Sequence, residues 1–265
     1  MRPKDFQRRT RRLALSNATK TGEESEGMTH LSLFSGIGGI DLAAEWAGFR
    51  TVAFVEQNKF CQKVLAKHWP EVPIYDDIKT FDAKPFRGVD LVTGGFPCQD
   101  ISAAGKQAGL TGERSGLWYE MLRVITQARP AWVVVENVAN LYSIGIDTVL
   151  NGLEAVGYSA RPIGLEAAHV GAPFKGLRVF IVACSASEER QKISSTINEM
   201  EGGRPQFYIM EDVLKWWEAS PCYPPISGMA NGISQRLDRS RIAALGNAVV
   251  PQQVFPILEA IASLV

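Results

Sequence analysis

The sequence predicts an open α/β fold with parallel strands. Two observations carry this prediction: short apolar runs alternate with helical stretches, and several of these runs end in a glycine loop, an acidic residue or a cysteine. Parallel strands are buried on both faces, and they bring the residues that follow them to one edge of the sheet, where open α/β folds bind ligands. With 265 residues and 46% hydrophobic content, the chain can bury one substantial core.

The first predicted strand, His30–Phe34, leads into the glycine-rich loop Ser35–Gly39 and then into a helical stretch, Ile40–Gly48. Glycines at this point allow the backbone to approach a ligand closely at the amino end of a helix. The next apolar run, Thr51–Glu56, ends in an acid at about the spacing expected for a residue that binds ribose hydroxyls. A second acid, Asp77, follows it. A glycine loop alone is often only a tight turn, but together with a strand-end acid it favours a nucleoside-bearing cofactor.

A third apolar run, Val89–Val92, precedes the hexapeptide GGFPCQ at Gly94–Gln99. Cys98 follows a Phe-Pro turn at the end of a buried strand, and this position favours attack on a substrate. Free cysteines are among the most buried residues, so packing in the core is the alternative role. A fourth run, Ala131–Val138, carries Glu136 near its end, where the carboxyl could act in catalysis or cap the next helix.

Five segments resemble the cytosine-5 DNA methyltransferase family. They are FSGIGG at Phe34–Gly39, GGFPCQDIS at Gly94–Ser102, RSGLW at Arg114–Trp118, ENV at Glu136–Val138 and GNAVVP at Gly246–Pro251. The nucleophile loop followed by ENV is a highly specific signature, and the resemblance spans roughly residues 29–260. It implies a doubly wound, mostly parallel sheet of the Rossmann-like type found in S-adenosylmethionine-dependent methyltransferases, with a short target-recognition insert.

The resemblance implies that the Cys98 thiolate adds to carbon 6 of cytosine, that Glu136 supplies a proton or hydrogen bond at N3, and that Arg178 holds O2. Addition at carbon 6 enables carbon 5 to accept a methyl group, after which the hydrogen at carbon 5 leaves. A carboxyl that donates a proton at neutral pH requires a raised pKa, as in a closed pocket. The target base must also be flipped out of the duplex.

The implied methyl donor is S-adenosylmethionine, and no metal is needed. Glu56 would bind the ribose hydroxyls, and Asp77 with Ile78 would bind the adenine edge. The other positions that match the cofactor site of the family are Phe34, Ser35, Gly36, Ile37, Gly38, Gly39, Pro97, Leu117, Asn247 and Val249.

The arginine motif departs from the family pattern. Pro173–Arg178 reads PFKGLR, with Phe174 where glutamine is usual and Gly176 in place of the first of two arginines, whereas Arg178 is retained. The departure concerns the part of the site that braces the loop and leaves the contact to the base in place. We expect either a slow enzyme or a loop that is repacked around glycine.

Lysine and arginine balance aspartate and glutamate at 28 each, so affinity for nucleic acid must come from a local basic surface. Residues 1–27 contain seven basic and four acidic side chains, so the rest of the chain is acidic on balance. This tail lacks the apolar region of a secretory signal and is predicted to be disordered. Met28 directly precedes the first predicted strand and is an alternative start of the protein.

The predicted domain organisation has four parts: a tail at 1–27, a catalytic and cofactor-binding domain at 28–184, a short target-recognition region at 185–241, and a C-terminal segment at 242–265 that packs back on the catalytic domain. Basic residues in the recognition region could contact phosphates or guanine edges. Trp216 and Trp217 are better explained as the core of a small lobe.

The sequence contains no apolar run of about 18 residues, so no membrane span is predicted. Cys61, Cys98, Cys184 and Cys222 lack the paired spacing of zinc sites, and a reduced, intracellular protein is the default expectation. We predict a cytoplasmic, monomeric DNA (cytosine-5) methyltransferase of a bacterial or phage-infected cell. Its expected partners are double-stranded DNA and, in a restriction-modification system, a cognate restriction endonuclease. A tRNA cytosine-5 methyltransferase and a catalytically weak DNA-binding regulator on the same fold are the alternatives.

Overall fold

A computed structural model of the chain describes residues 27–97, 116–172, 176–185 and 248–265. The strands are β1 (Thr29–Leu33), β2 (Arg50–Val55), β3 (Ile74–Tyr75), β4 (Leu91–Gly94), β5 (Trp132–Val138), β6 (Tyr158–Leu165) and β7 (Arg178–Ser185). The helices are α1 (Gly39–Trp46), α2 (Lys59–His68), α3 (Gly116–Ala128), α4 (Leu141–Ile144), α5 (Ile146–Ala155) and α6 (Pro251–Ala262), with 3-10 turns at Lys84–Phe86 and Ala167–Val170. Residues 1–26 of the predicted tail and residues 186–241 of the predicted recognition region lie outside the described residues.

The seven strands form one sheet in the order β3-β2-β1-β4-β5-β7-β6. Strands β1 to β5 run parallel, whereas β7 is antiparallel to both β5 and β6. The chain first moves outward from β1 to β2 and β3, and then returns to place β4 on the other side of β1. This arrangement confirms the predicted doubly wound, mostly parallel sheet, and the change of direction between β1 and β4 is where such sheets bind ligands.

Apolar helices cover both faces of the sheet. Helices α3 and α5 lie on one face, where Trp118 and Leu153 are buried. Helices α1 and α6 lie on the other face, and Trp46 of α1 meets Phe255 of α6 edge to face with ring centroids 6.1 Å apart. The C-terminal helix is thereby fixed next to the loop that follows β1. Among the described helices, none has the length and apolar character needed to cross a membrane.

A polar cluster lies in the core beside β1. The His30 ring is fully buried, with Nδ1 3.0 Å from Thr51 Oγ1 and Nε2 2.8 Å from Thr93 Oγ1. Asp41 of α1 is also fully buried, and its Oδ1 lies 3.9 Å from His30 Nδ1. Burial lowers the pKa of His30 to about 3 and raises the pKa of Asp41 to about 7. Both side chains are therefore uncharged between these two pH values.

Candidate active site

Three strands, β1, β2 and β4, end in register at one edge of the sheet, and β5 continues past this level to Val138. Leu33 of β1 pairs with Val55 of β2 and with Gly94 of β4, and Gly94 in turn pairs with Val135 of β5. The residues that directly follow these pairs are Phe34, Glu56, Gly95 and Glu136. The glycine-rich loop, the strand-end acid and the segment before Cys98 thus leave the sheet together. Glu136 lies at the same level but inside β5, where it pairs with Phe180 of β7.

The loop after β1 turns sharply because three of its residues adopt left-handed backbone angles. The φ angle is +52° at Phe34, +57° at Gly36 and +87° at Gly38. Glycine adopts this region readily, whereas a phenylalanine there is strained, and such strain is typical of functional loops. Ser35 stabilises the turn, since its Oγ accepts from Ser32 Oγ at 2.9 Å and its carbonyl accepts from Gly38 N at 3.0 Å.

Gly38 and Gly39 leave no room for a side chain. A Cβ atom at Gly38 would lie 2.5 Å from the Trp69 ring, and one at Gly39 would lie 2.5 Å from the carbonyl oxygen of Val249. The Trp69 indole is itself held in place, because its Nε1 donates to Glu45 Oε2 at 3.2 Å. The two glycines therefore allow the loop to pack between Trp69 and the segment that leads into α6.

The Glu56 carboxylate joins the end of β2 to the glycine-rich loop. Its Oε2 accepts from the backbone N–H of Gly36 at 2.7 Å, and its Oε1 accepts from the backbone N–H of Asn58 at 2.7 Å. Each carboxylate oxygen has a further lone pair, so both can still accept from a hydroxyl group. The side chain is thus held in one position and retains the capacity to bind a ribose.

Asp77 and Ile78, which follow β3, differ in what they offer a ligand. Asp77 Oδ1 accepts from the backbone N–H of Lys79 at 2.9 Å, and a pocket of about 360 Å³ opens beside this residue. Ile78 is only 4% exposed, and its carbonyl accepts from Arg123 Nη2 at 2.6 Å. The Ile78 side chain belongs to the core, so a ligand would meet the Asp77 carboxylate in preference to it.

Cys98 lies outside the described residues, and Gly95–Pro97 lead up to it. Phe96 is buried against Trp118, with ring centroids 5.5 Å apart. The buried side chain of Asn137 donates from Nδ2 to the Phe96 carbonyl at 3.0 Å. Pro97 is exposed and is the last described residue before Cys98. Strand β5 therefore fixes the position of Phe96, two residues before Cys98.

Glu136 and Arg178 form a shielded ion pair. Arg178 Nη1 lies 3.3 Å from Glu136 Oε1, and the two side chains are 17% and 8% exposed. Burial raises the pKa of Glu136 to about 7, and the charge of Arg178 opposes this shift only in part. Gly95 makes room for the carboxyl, since a Cβ atom there would lie 2.7 Å from Glu136 Oε2. A carboxyl with such a pKa is partly protonated at neutral pH, as a proton donor requires.

The segment PFKGLR, in which a glycine stands at an expected arginine position, is described from Gly176 onward. Pro173, Phe174 and Lys175 lie outside the described residues. The φ angle of Gly176 is +48°, which is a left-handed conformation that side-chain-bearing L-residues disfavour. Of the two outcomes expected for this loop, the backbone angle supports the one in which the loop is adapted to glycine.

Gln253 of α6 is a residue of this region that the sequence analysis missed. Its side chain is buried, and Nε2 donates to the carbonyls of Leu165 at 2.6 Å and Gly176 at 2.9 Å. The C-terminal helix thereby reaches the residue two positions before Arg178. A sequence indication does exist, because Gln253 lies four and eight residues before the apolar Ile257 and Ile261 and so shares their buried face.

Of the other predicted cofactor residues, Leu117 and Val249 belong to the described part of the chain and Asn247 does not. Leu117 lies at the start of α3, half-buried against the core. Val249 is only 8% exposed, and Asn247 lies outside the described residues. A cleft of about 820 Å³ extends from Ile37 in the glycine-rich loop to Val249 and Arg178. It joins the loop side of the site to the arginine side.

Within the ranges that the structure describes, no three or more His, Cys, Asp or Glu side chains are arranged to hold a metal ion.

A family model for C-5 cytosine-specific DNA methylases matches residues 28–215. The chain is 35% identical over 176 residues to the type II methyltransferase M2.BsuMI of Bacillus subtilis (strain 168), a match that covers 63% of this chain and 45% of that protein. It is 32% identical over 160 residues to the type II methyltransferase M.HhaI of Haemophilus parahaemolyticus, covering 59% of this chain and 49% of that protein. The chain thus spans about half the length of these curated relatives.

Two solved structures share the fold. The Dnmt2 methyltransferase of S. pombe superposes with a TM-score of 0.53 at 22% identity, covering 60% of this chain and 51% of that chain. The methyltransferase EhMeth of Entamoeba histolytica superposes with a TM-score of 0.51 at 18% identity, covering 62% of this chain and 54% of that chain. At these identities the similarity concerns the fold alone.

Proposed function

Because this chain belongs to the C-5 cytosine-specific DNA methylase family, we propose that it transfers a methyl group from S-adenosylmethionine to carbon 5 of cytosine in double-stranded DNA. The observation that carries this proposal is the buried Glu136–Arg178 pair beside Gly95, three residues before Cys98. A carboxyl with a pKa near 7, a permanent cation and a thiol suit nucleophilic addition to a pyrimidine ring.

Cys98 is the nucleophile in this proposal. Its thiolate adds to carbon 6 of a cytosine that has been flipped out of the duplex, and N3 takes the proton of the Glu136 carboxyl as negative charge develops there. Carbon 5 would then bond to the methyl group as the sulfur–methyl bond breaks with its electron pair left on sulfur, and the hydrogen at carbon 5 would leave as a proton that water accepts. The thiolate leaves carbon 6 as the ring double bond re-forms, and the proton on N3 returns to Glu136.

Arg178 has two tasks in the same scheme. Its guanidinium holds O2 of the ring through a charge-assisted hydrogen bond. Its charge also opposes the effect of burial on Glu136 and so limits the rise of that pKa. A carboxyl with an unshifted pKa would be ionised before the base arrived, and one with a much higher pKa would donate its proton poorly.

The residues on the loop side of the site fit S-adenosylmethionine. In this molecule a methyl group is bound to a positively charged sulfur, and a carbon nucleophile can accept that methyl group. Gly36 leaves open space beside the loop backbone, and Glu56 presents a carboxylate in a fixed position for the ribose hydroxyls. Asp77 offers a second carboxylate, which would bind the amino edge of adenine.

DNA is favoured as the substrate because the family model and the similar curated proteins are those of DNA or type II methyltransferases. Methylation of cytosine in tRNA is the alternative, and it would use the same catalytic residues. In a restriction-modification system, a cognate restriction endonuclease would accompany the DNA enzyme.

The test is bisulfite sequencing of DNA from cells that express the wild-type chain, Cys98→Ala or Cys61→Ala. Cys61 is the matched control, because it lies in α2 and burial raises the pKa of its thiol to about 11. We expect methylated cytosines at one recurring sequence with the wild type and with Cys61→Ala, and none with Cys98→Ala. Unmethylated DNA, together with transfer of a tritiated methyl group to tRNA, would identify the tRNA alternative as correct.

A further inference from the structure

Gln253 carries a buried carboxamide on the apolar face of α6. The residue is 1% exposed and lies on the face of α6 that also buries Ile257 and Ile261. A buried amide loses its contacts with water, and this cost is offset only when the group forms hydrogen bonds. Gln253 Nε2 forms two, to the carbonyls of Leu165 and Gly176. An apolar side chain could pack at this position without hydrogen-bond partners. The two hydrogen bonds are therefore a specific contribution of the glutamine.

The two carbonyls that Gln253 binds flank the start of β7. Leu165, the last residue of β6, pairs in register with Arg178, the first residue of β7. Gly176 lies two residues before Arg178 on the incoming segment. One side chain of α6 therefore ties this segment to the neighbouring strand. Gly176 has no side chain of its own that could fix its left-handed backbone in place.

The position of Arg178 determines how strongly its charge acts on the Glu136 carboxyl. The separation of 3.3 Å brings the two charges together, but in the part of the chain that the structure describes Glu136 Oε1 has no hydrogen-bond partner. The distance between Arg178 and Glu136 is therefore not fixed by a hydrogen bond at Glu136 Oε1. Electrostatic attraction in a shielded site weakens as the charges separate, so a shift at the start of β7 would change the environment of Glu136.

We propose that Gln253 is a positioning residue for the methyl-transfer reaction: it braces the segment before β7 and so holds Arg178 at Glu136 and at the base. This inference rests on the proposed function, since it gives Gln253 a task within the same site. Gln253 also lines the cleft that joins the two sides of the site, but the proposal assigns it no contact with either substrate. It acts through Arg178 alone, and this dependence can be measured.

The first experiment compares Gln253→Met with Gln252→Met in single-turnover methyl transfer to DNA. Methionine keeps the length of the side chain and removes its hydrogen-bond donor. Gln252 is the matched control, because it is the same residue type at the next position and is exposed. We expect Gln253→Met to lower the rate about tenfold, as for loss of a buried hydrogen bond, and Gln252→Met to change it less than about twofold. Equal rates for the two variants would overturn the inference.

The second experiment repeats Gln253→Met in an Arg178→Ala background. Arg178→Ala alone should lower the rate about 100-fold, in line with loss of a single stabilising donor. If Gln253 acts through Arg178, the double variant should lose less than about a further twofold. A further loss of about tenfold would overturn the inference, because a general packing defect adds to the loss of Arg178. A wild-type rate for Arg178→Ala would instead contradict the proposed function.

A third variant, Gln253→Glu, preserves the size of the side chain and keeps the test valid if Gln253→Met folds poorly. A protonated glutamic acid can donate one hydrogen bond to these carbonyls, whereas the ionised form can donate none. We therefore expect the rate of Gln253→Glu relative to the wild type to rise as the pH is lowered from about 8.5 to about 6. A ratio that stays constant over this range would overturn the inference.

Discussion

The Arg178 guanidinium lies 3.3 Å from the Glu136 carboxylate, yet the pKa of Glu136 is raised to about 7. A neighbouring cation favours the ionised form of a carboxyl, whereas burial disfavours it. The Glu136 side chain is 8% exposed, and in this pair the effect of burial is the larger one. The site therefore holds a carboxyl that is protonated in mildly acidic solution next to a permanent cation.

Glu136→Gln should lower methyl transfer at neutral pH by about 100-fold or more, because an amide can bond to N3 but cannot protonate it. In the wild type, the protonated fraction of Glu136 falls as the pH rises through about 7, whereas the amide does not titrate. The variant rate divided by the wild-type rate should therefore increase above this pH. Single-turnover rates between about pH 6 and about pH 9 measure this ratio, and a constant ratio would exclude Glu136 as the titrating donor.

Glu56→Ala should weaken the binding of S-adenosylmethionine by at least about tenfold, because each lost hydrogen bond to a charged acceptor is worth about 1.5–3 kcal/mol. DNA binding should barely change. Glu71→Ala is the matched control, since Glu71 is an exposed carboxylate in the turn after α2. Calorimetry measures both affinities. If Glu56→Ala binds the cofactor as tightly as Glu71→Ala does, Glu56 is not part of the cofactor site.

Gly176→Arg should lower both stability and the rate of methyl transfer, because an L-residue with a left-handed backbone is strained by about 1–2 kcal/mol. Gly88→Arg is the control, because Gly88 also has a positive φ, of +87°. No atom lies within 4 Å of the position that a Cβ at Gly88 would occupy. Gly88 precedes β4 and is therefore away from the strand ends that form the site. We expect both variants to be destabilised and only Gly176→Arg to be slowed, by about 5- to 30-fold if the strain displaces Arg178. Single-turnover rates of Gly176→Arg above wild type would mean that the missing arginine impairs the enzyme.

Asp41 should make the folded protein less stable as the pH rises. Its pKa is raised from 3.8 to about 7, chiefly by burial, so between these values the folded state holds a proton that the unfolded chain has lost. The free energy of unfolding therefore falls as the pH increases through this window, and the effect is complete above about pH 7.

Asp41→Asn should remove this pH dependence and raise the melting temperature at alkaline pH, by about 2–4 °C for each kcal/mol gained. Asp147→Asn is the control, because Asp147 is likewise in the first turn of a helix but is exposed. Thermal melts at several pH values compare the two variants. If Asp41→Asn keeps the wild-type pH dependence, the buried carboxyl does not titrate as described.

The features that the sequence could predict lie along single strands and loops. Phe34, Glu56 and Glu136 each follow or end an apolar run, and parallel pairing then brings them to one edge of the sheet. Motif matching identified Ile78 by position alone, and it could not show that this side chain points into the core. The direction of a side chain depends on the packing of the whole fold.

Contacts between distant segments could not be predicted. The Gln253 hydrogen bonds join residues 77 and 88 positions apart, and the His30–Asp41 cluster depends on how α1 packs on β1. The segment PFKGLR was compatible with an impaired loop and with a repacked one, and the φ angle of Gly176 was needed to favour the second.

Covalent capture of DNA most directly tests whether Cys98 is the nucleophile of a cytosine-5 methyl transfer. The DNA carries 5-fluorocytosine at the target position, and because fluorine cannot leave carbon 5 as a proton does, the bond between Cys98 and carbon 6 should persist after methyl transfer. Wild type, Cys98→Ala and Cys61→Ala are each incubated with this DNA and S-adenosylmethionine and then separated under denaturing conditions. We expect a denaturation-resistant protein–DNA adduct with the wild type and with Cys61→Ala, and none with Cys98→Ala. An adduct formed by Cys98→Ala would contradict the assignment of Cys98 as the nucleophile.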